Sequence, residues 1–178
     1  MAATIYNMDS ANLFVGDDDP TNSQFLVLRN IKFPSLEEAT KDHSGGGAVG
    51  ALTMGMRKLE ALTLPFQLEG FNPDVMNKFM PVTGRTTYTI RGNIRDVRDH
   101  TDKEIRAVIK GRMTRAEMSE FAKDDGINTD YEIREIVFYE LFYDGDEKFY
   151  YDYFSGPKGV RVDGQEIFPV VARNLGLA

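Results

Sequence analysis

The sequence predicts a mainly β protein, an antiparallel two-sheet β-sandwich or partly open barrel with one short α-helix. Three observations lead to this fold class: segments in which apolar and polar residues alternate, Asp-Gly turn signals, and one well-marked helix start. The chain has 178 residues, 42% of them hydrophobic and 28% charged, which is ordinary globular composition. We therefore expect a single domain over residues 1–178.

Alternation with a period of two residues marks the strands. Residues 85–96 carry apolar side chains at even positions, and residues 103–113 carry them at odd positions, with Val108 as the exception. The loop 97–102 should join these two segments as an antiparallel hairpin. Further strands are predicted at 25–33, 59–69, 131–143 and 148–154, with turns at Asp144-Gly145 and Asp163-Gly164.

One helix is clearly marked. Asn72 can cap it, Pro73 suits its first position and Pro81 ends it. Its apolar stripe should pack onto the sheets, and consists of Val75, Met76, Phe79 and Met80. Residues 114–121 fit either an extension of the preceding strand or a short helix, and the acidic segment 123–126 indicates a loop.

A glycine-rich segment at 44–56 combines a flexible backbone with apolar side chains. Gly45, Gly47 and Gly50 match the spacing of a dinucleotide-binding loop, but the polar segment 37–43 before them is not a buried parallel strand. A phosphate-binding loop is excluded because Ala51-Leu52 stands where Lys-Ser/Thr is required. We expect 36–56 to be an extended inter-subunit loop whose apolar residues are covered by another subunit.

The sequence predicts no catalytic residues, no cofactor and no metal site. His43 and His100 lie in polar loop sequence, and the adjacent residues Asp42-His43-Ser44 cannot assemble as a catalytic triad. The acidic runs at 17–19 and 144–147 lack the calcium-loop pattern, and the chain has no cysteine. No signal peptide or apolar membrane-spanning run is visible, so we expect no stable membrane insertion.

Two features leave a second function open, a monomeric β-barrel binding module. Aromatic residues are dense over 138–154, where strand packing competes with base stacking as the explanation. The two clearest strands also present basic faces, which could hold an acidic protein or a phosphate backbone: Arg85, Arg91, Arg95, Arg106, Lys110 and Arg112. The net charge of -7 argues against a dedicated nucleic-acid binder.

The order of several short segments resembles one protein family. These segments are 31–36, the glycine loop ending at 52–56, 59–62, Gly70-Phe71, 110–112, 139–141 with Asp144-Gly145, and the closing 172–177. Together they resemble the major tail tube proteins of contractile-tailed, P2-like bacteriophages, which are related to the tube proteins of R-type bacteriocins. The chain departs from this pattern in its extended start, 1–9, and in the inserted turn 17–22.

The resemblance implies a structural protein of the virion tail that is assembled in the host cytoplasm. Six subunits would form a ring in which one sheet from each joins a continuous barrel, and rings would stack into a hollow tube that pierces the host envelope and passes DNA. The implied partners are further copies of the chain, the tail sheath protein, baseplate and tail terminator proteins, and the tape-measure protein and DNA in the lumen.

This reading assigns expected roles to two sets of residues. Contacts between subunits are expected at Gly45, Gly46, Gly47, Leu52, Met54 and Met56 in the loop and at Arg173, Asn174 and Leu175 in an apolar C-terminal segment. A bore that passes DNA should not bind phosphate, so the basic faces are expected to point away from it. The candidates for the channel wall are Glu60, Glu69, Glu132 and Glu140.

Overall fold

The computed structural model describes residues 4–123 and 126–177. Its elements confirm the mainly β, antiparallel fold class. The strands are β1 (Tyr6–Val15), β2 (Leu28–Ile31), β3 (Glu38–His43), β4 (Leu52–Leu59), β5 (Leu64–Glu69), β6 (Thr86–Asp96), β7 (Asp102–Met118), β8 (Asn128–Tyr143), β9 (Asp146–Asp152), β10 (Val160–Val162) and β11 (Gln165–Glu166). The α-helices are α1 (Pro73–Met76) and α2 (Pro169–Asn174), and short 3₁₀ segments lie at Pro20–Asn22 and Tyr153–Gly159.

Nine strands form one sheet. Seven follow the order β1-β6-β7-β8-β9-β10-β11, while β5 pairs with β8 and β2 pairs with β5. The remaining strands, β3 and β4, form a separate two-stranded sheet. Over the described residues this large sheet is open: it ends at β1 on one side and at β11 on the other, and a single chain forms no closed barrel.

The long strands β7 and β8 bend and so belong to both halves of the large sheet. Residues 128–133 of β8 pair with β5, whereas residues 138–143 pair with β9. Between these halves the pairing slips, because Lys110 lies opposite Phe138 and Arg112 lies opposite Arg134. A β-carbon at Gly111 would lie 2.9 Å from the Arg134 carbonyl oxygen, so the tight bend requires glycine there.

The bend places two layers around one core. Leu64 and Phe66 of β5 belong to the same buried cluster as Leu13 of β1 and Tyr88 of β6, although β5 pairs with neither of those strands. The two halves of the sheet therefore face each other. Aromatic residues fill much of the space between them, and burial raises the pKa of Tyr88 to about 12.

Most strand predictions are confirmed. The alternating segments 85–96 and 103–113 are β6 and β7, joined as an antiparallel hairpin, and β7 continues to Met118, which decides the ambiguous segment 114–121 in favour of a strand. Residues 131–143 and 148–154 lie mainly in β8 and β9, on either side of a turn in which Asp144 and Gly145 have positive φ. Of the acidic segment 123–126, residues 124 and 125 lie outside the described residues.

The predicted helix is correct at its start and wrong at its end. Asn72 Oδ1 accepts hydrogen bonds from the backbone N–H groups of Asp74 and Val75, as an N-cap should. The α-helix, however, spans only Pro73–Met76, because the chain then turns to pair with β7, where the Met80 N–H donates to the Met113 carbonyl. Of the predicted apolar stripe, Val75 is buried, whereas Phe79 and Met80 are exposed.

Candidate assembly surface

The strands β3 and β4 form a hairpin of their own, apart from the large sheet. His43 lies opposite Leu52, and Lys41 lies opposite Met54. The prediction of an extended loop over 36–56 is therefore wrong in its local structure, since only residues 44–51 at the tip lie between the two strands. The alternation in 52–56 was a strand signal, and the glycines before it mark the turn.

The hairpin exposes the apolar residues that the sequence singled out. Leu52 is 63% exposed and Met56 is 50% exposed, and no residue of either hairpin strand is buried. At the tip, a β-carbon added to Gly46 or Gly47 would meet no atom within 4 Å. Exposed apolar strands of this kind are typical of surfaces that another chain covers.

The pairing of β3 with β4 is interrupted near the base of the hairpin by an irregular segment, which we call the joint. Pairing is regular up to Thr40 and Gly55 and resumes at Glu38 and Leu59, which leaves Met56, Arg57 and Lys58 in a bulge. Arg57 has a φ of 54°, and its backbone N–H donates a 2.7 Å hydrogen bond to Glu38 Oε1. The carboxylate of Glu38 thus stabilises a backbone conformation that is uncommon outside glycine.

An apolar cleft of about 890 Å³ separates the base of the hairpin from the C-terminal elements. Leu36 and Met56 line one side, and Tyr151, Phe168 and Val171 line the other. The structure therefore brings the base of the hairpin close to the C-terminal segment, two regions that the sequence predicted as contacts. A single chain leaves this cleft open.

The C-terminal segment docks through a helix that the sequence did not reveal. Ala172 of α2 is buried against the 3₁₀ segment Tyr153–Gly159, while Arg173, Asn174 and Leu175 at the end of the helix are exposed. Pro169 at the first helical position was the available signal. The three residues predicted as contacts are thus accessible to a neighbouring chain.

The four acidic residues proposed for the channel wall do not share a surface. Glu132 lies opposite Pro65, and Glu69 extends the same side of β5, away from the core. Glu140 lies on the other half of β8, opposite Val108, and Glu60 directly follows β4. Glu69 and Glu132 therefore share one side of the fold, and Glu140 lies on the other half of β8.

The sheet has an open face, the side of β6 to β10 that points away from the core and carries Arg91, Arg106, Lys110, Glu140 and Arg161. Glu140 therefore lies on the same face as Arg106 and Lys110. The expected separation of these basic residues from this acid onto opposite faces does not occur, because strands with partners in register share their faces.

Acidic neighbours compensate part of the positive charge on and near the open face. Arg161 forms two hydrogen bonds to the Glu147 carboxylate, at 3.0 and 2.6 Å, and its guanidinium lies 3.6 Å from the Tyr150 ring centroid. Near the bend, Arg85 and Arg112 both approach the Glu135 carboxylate. Burial, and then the charge of Glu147, raise the pKa of Glu140.

The aromatic residues are divided between the two sides of the sheet. Tyr139 and Phe149 pack in the core with their ring centroids 5.6 Å apart, while Phe138 and Tyr150 meet edge to face at 5.5 Å on the open face. Packing thus accounts for these rings. Among residues 4–123 and 126–177, no three potential metal ligands cluster, and no helix has the length and apolar character needed to cross a membrane.

Together these features define a class of protein. A β-rich chain with an exposed apolar hairpin and open sheet edges is built as a structural subunit that associates with other chains. The family described as phage tail tube protein FII matches residues 7–176, and the chain belongs to this family. It is a phage tail tube protein of the P2-like type, a structural component of the virion tail. No curated protein matches the chain.

Proposed function

We propose that this chain forms hexameric rings that stack into the tube of a contractile tail, and that the tube passes DNA into the host. The observation that carries the proposal is the β3–β4 hairpin, which leaves Leu52, Met54 and Met56 exposed on a two-stranded sheet. An isolated two-stranded sheet is marginally stable in water, so contact with a neighbouring subunit gives the hairpin a physical reason to persist.

Ring closure would use the open edges of the large sheet. In the part of the chain that the structure describes, β1 pairs along one side only, with β6, apart from contacts of Leu13 and Phe14 near its end. The opposite edge consists of the short strands β10 and β11. Joining such edges around a ring would satisfy the unpaired backbone groups and remove a site for aggregation.

The same arrangement would orient the open face toward the bore, so that Arg91, Arg106 and Lys110 would line it, contrary to the expectation from the sequence that the basic faces point away. The other side of these strands is covered by the core and by the second layer, which includes β2 and β5. Placing the thicker, covered side outward leaves the central channel free. We therefore keep Glu140 as a residue of the channel wall and assign Glu69 and Glu132 to the outer side, where the sheath protein would bind.

Contacts between successive rings would use the hairpin and the C-terminal segment. The glycines of the tip, Gly45 to Gly47, allow close approach of a neighbouring backbone, and the exposed residues Arg173, Asn174 and Leu175 extend the contact. Baseplate and tail terminator proteins would meet the ends of the tube, and the tape-measure protein would occupy its lumen before DNA.

Electron microscopy of the purified protein tests the proposal. We expect rings or tubes with six-fold symmetry at high protein concentration, and analytical ultracentrifugation should show the corresponding loss of monomer. A protein that stays monomeric under all these conditions, and that binds a ligand through its open face, would instead support a binding module. Rings of another symmetry would contradict the hexameric arrangement while leaving the structural role intact.

A further inference from the structure

Two arginines lie side by side on the open face. Arg91 of β6 and Arg106 of β7 are direct cross-strand partners, and the Arg106 guanidinium stacks over Phe142 at 4.5 Å from the ring centroid. The two guanidinium groups reach different neighbours: that of Arg106 lies over Phe142 of β8, and that of Arg91 reaches Asp18, beyond the end of β1. A guanidinium group is well suited to bind a phosphate group, because it can donate two hydrogen bonds to its oxygens.

A carboxylate from another part of the chain binds the guanidinium group of Arg91. Asp18 Oδ2 lies 2.5 Å from Arg91 Nη2, and Asp18 Oδ1 lies 3.4 Å from Arg91 Nε. Glu104 binds the remaining nitrogen, Nη1, at 2.7 Å. Arg91 therefore donates to two carboxylates, and its hydrogen-bonding capacity toward a phosphate is largely used.

The turn that carries Asp18 is built to present this one carboxylate. Asp19 accepts hydrogen bonds from the backbone N–H and the hydroxyl of Thr21. The Asn22 side chain donates to the backbone carbonyl of Asp17 at 3.1 Å, which holds the start of the turn. Across the described residues, the Asp17 carboxylate itself takes part in no hydrogen bond or ion pair.

We propose that Asp18 shields Arg91 from the phosphates of nucleic acid. The inference rests on the proposed function, in which the open face lines a DNA-conducting bore. An unshielded Arg91 in every subunit would bind successive phosphates and release their counterions, so that DNA would be retained. With Asp18 in place, Arg91 remains on the open face but its charge is compensated.

The test compares two variants with the same change in net charge. Asp18→Asn removes the shield, whereas Asp17→Asn removes an adjacent carboxylate that does not contact Arg91. The affinity of each purified protein for a fluorescently labelled DNA duplex is measured by anisotropy over a range of salt concentrations. We expect Asp18→Asn to bind about three- to tenfold more tightly than Asp17→Asn at low salt. The slope of log affinity against log salt should also steepen by about one.

A second substitution tests whether Arg91 is the group that Asp18→Asn frees to bind DNA. Asp18→Asn combined with Arg91→Gln should lose the gain in affinity that Asp18→Asn alone produces. Circular dichroism confirms folding, and if Asp18→Asn is unstable, Glu104→Gln exposes the same arginine and should likewise strengthen binding. Equal affinities for Asp18→Asn and Asp17→Asn, or no reversal by Arg91→Gln, would overturn the shield.

The outcome is independent of whether tubes form. Tight binding by Asp18→Asn without rings or tubes in the microscope would support the shield and count against the conduit. If the protein forms normal tubes but Asp18→Asn leaves the affinity for DNA unchanged, the result would support the conduit and count against the shield.

Discussion

The nine-stranded sheet and the β3–β4 hairpin are both built of antiparallel strands, but the sheet buries apolar side chains and the hairpin exposes them. In the sheet, Tyr88, Ile109 and Ile133 are fully buried between two layers. In the hairpin, Leu52 and Met54 have no layer to cover them and remain exposed. The same alternating pattern thus produces a core in one region and a free surface in the other.

This difference separates folding from association. Burial of apolar area supplies most of the free energy of folding, and here it comes from the sheet. The hairpin contributes little to that balance, so its sequence is free to serve contacts with another chain. Substitutions in the two regions should therefore change different measured quantities.

The hairpin variant should have the largest effect on assembly. Replacing both methionines, Met54→Asp with Met56→Asp, places two charges on the surface that we expect a neighbour to bury, so rings and tubes should be lost. The free energy of unfolding should change by no more than about 0.5 kcal/mol, since both side chains are exposed. Electron microscopy and thermal unfolding measure the two effects. Met54→Leu with Met56→Leu is the matched control and should assemble; normal tubes from the charged variant would refute the assignment.

At the bend of the sheet we expect a substitution to lower the stability of the fold itself. Gly111→Ala forces a methyl group against the Arg134 carbonyl and the Ile133 side chain, and should destabilise the fold by about 1–3 kcal/mol. Chemical denaturation of the unassembled subunit measures this loss. Gly46→Ala, at the open tip of the hairpin, is the control and should leave unfolding unchanged. A Gly111 variant as stable as the parent would show that the bend tolerates a side chain.

A substitution at the joint should loosen the hairpin without unfolding the sheet. Glu38→Ala removes the acceptor for the Arg57 N–H, at a local cost of about 1 kcal/mol. Hydrogen exchange should quicken at Arg57 and along β3 and β4, with the amides of β6 and β7 unchanged. The neighbouring Glu37→Ala provides the comparison, because its carboxylate makes no hydrogen bond within the described residues. Equal exchange in the two variants would mean that Glu38 does not hold the joint.

The smallest effect is expected on the open face. Because burial raises the pKa of Glu140, its ionised form costs free energy in the folded state. Stability should therefore fall as the pH rises from the ordinary carboxylate range through the raised pKa, and Glu140→Gln should remove this contribution. At neutral pH we expect a gain of at most about 0.5 kcal/mol, because the side chain is only partly buried and water screens its charge. Denaturation at neutral and at acidic pH measures it, and a gain that persists unchanged in acid would contradict the cause.

Period-two alternation was a reliable guide where a strand is covered on one side only. It located β6 and β7 because one face of each meets the core and the other meets solvent. It missed β1, where the register shifts between Met8 and Ser10 and breaks the alternation. The bulge depends on contacts with β6, which the local sequence does not contain.

The candidate surface was predicted in part, by residue type more than by conformation. Glycines followed by Leu52, Met54 and Met56 indicated an exposed apolar segment, although not that it forms a hairpin with 38–43. The faces of charged residues were harder to predict, because the bend and its bulges decide which side of the sheet each half of β8 presents. Asp18 could not be connected to Arg91 from sequence, since 73 positions separate them.

The bend at Gly111 also bears on the order of folding. Because β6, β7, β8 and β9 follow one another in the chain and each pairs with the next, these four strands can form from contacts between consecutive strands and then serve as the template for β5, which pairs with the other half of β8. Contacts between residues close in sequence form with the smallest loss of chain entropy. A nascent subunit would thus acquire its two-layer shape from a single early unit, with the edge strands added afterwards.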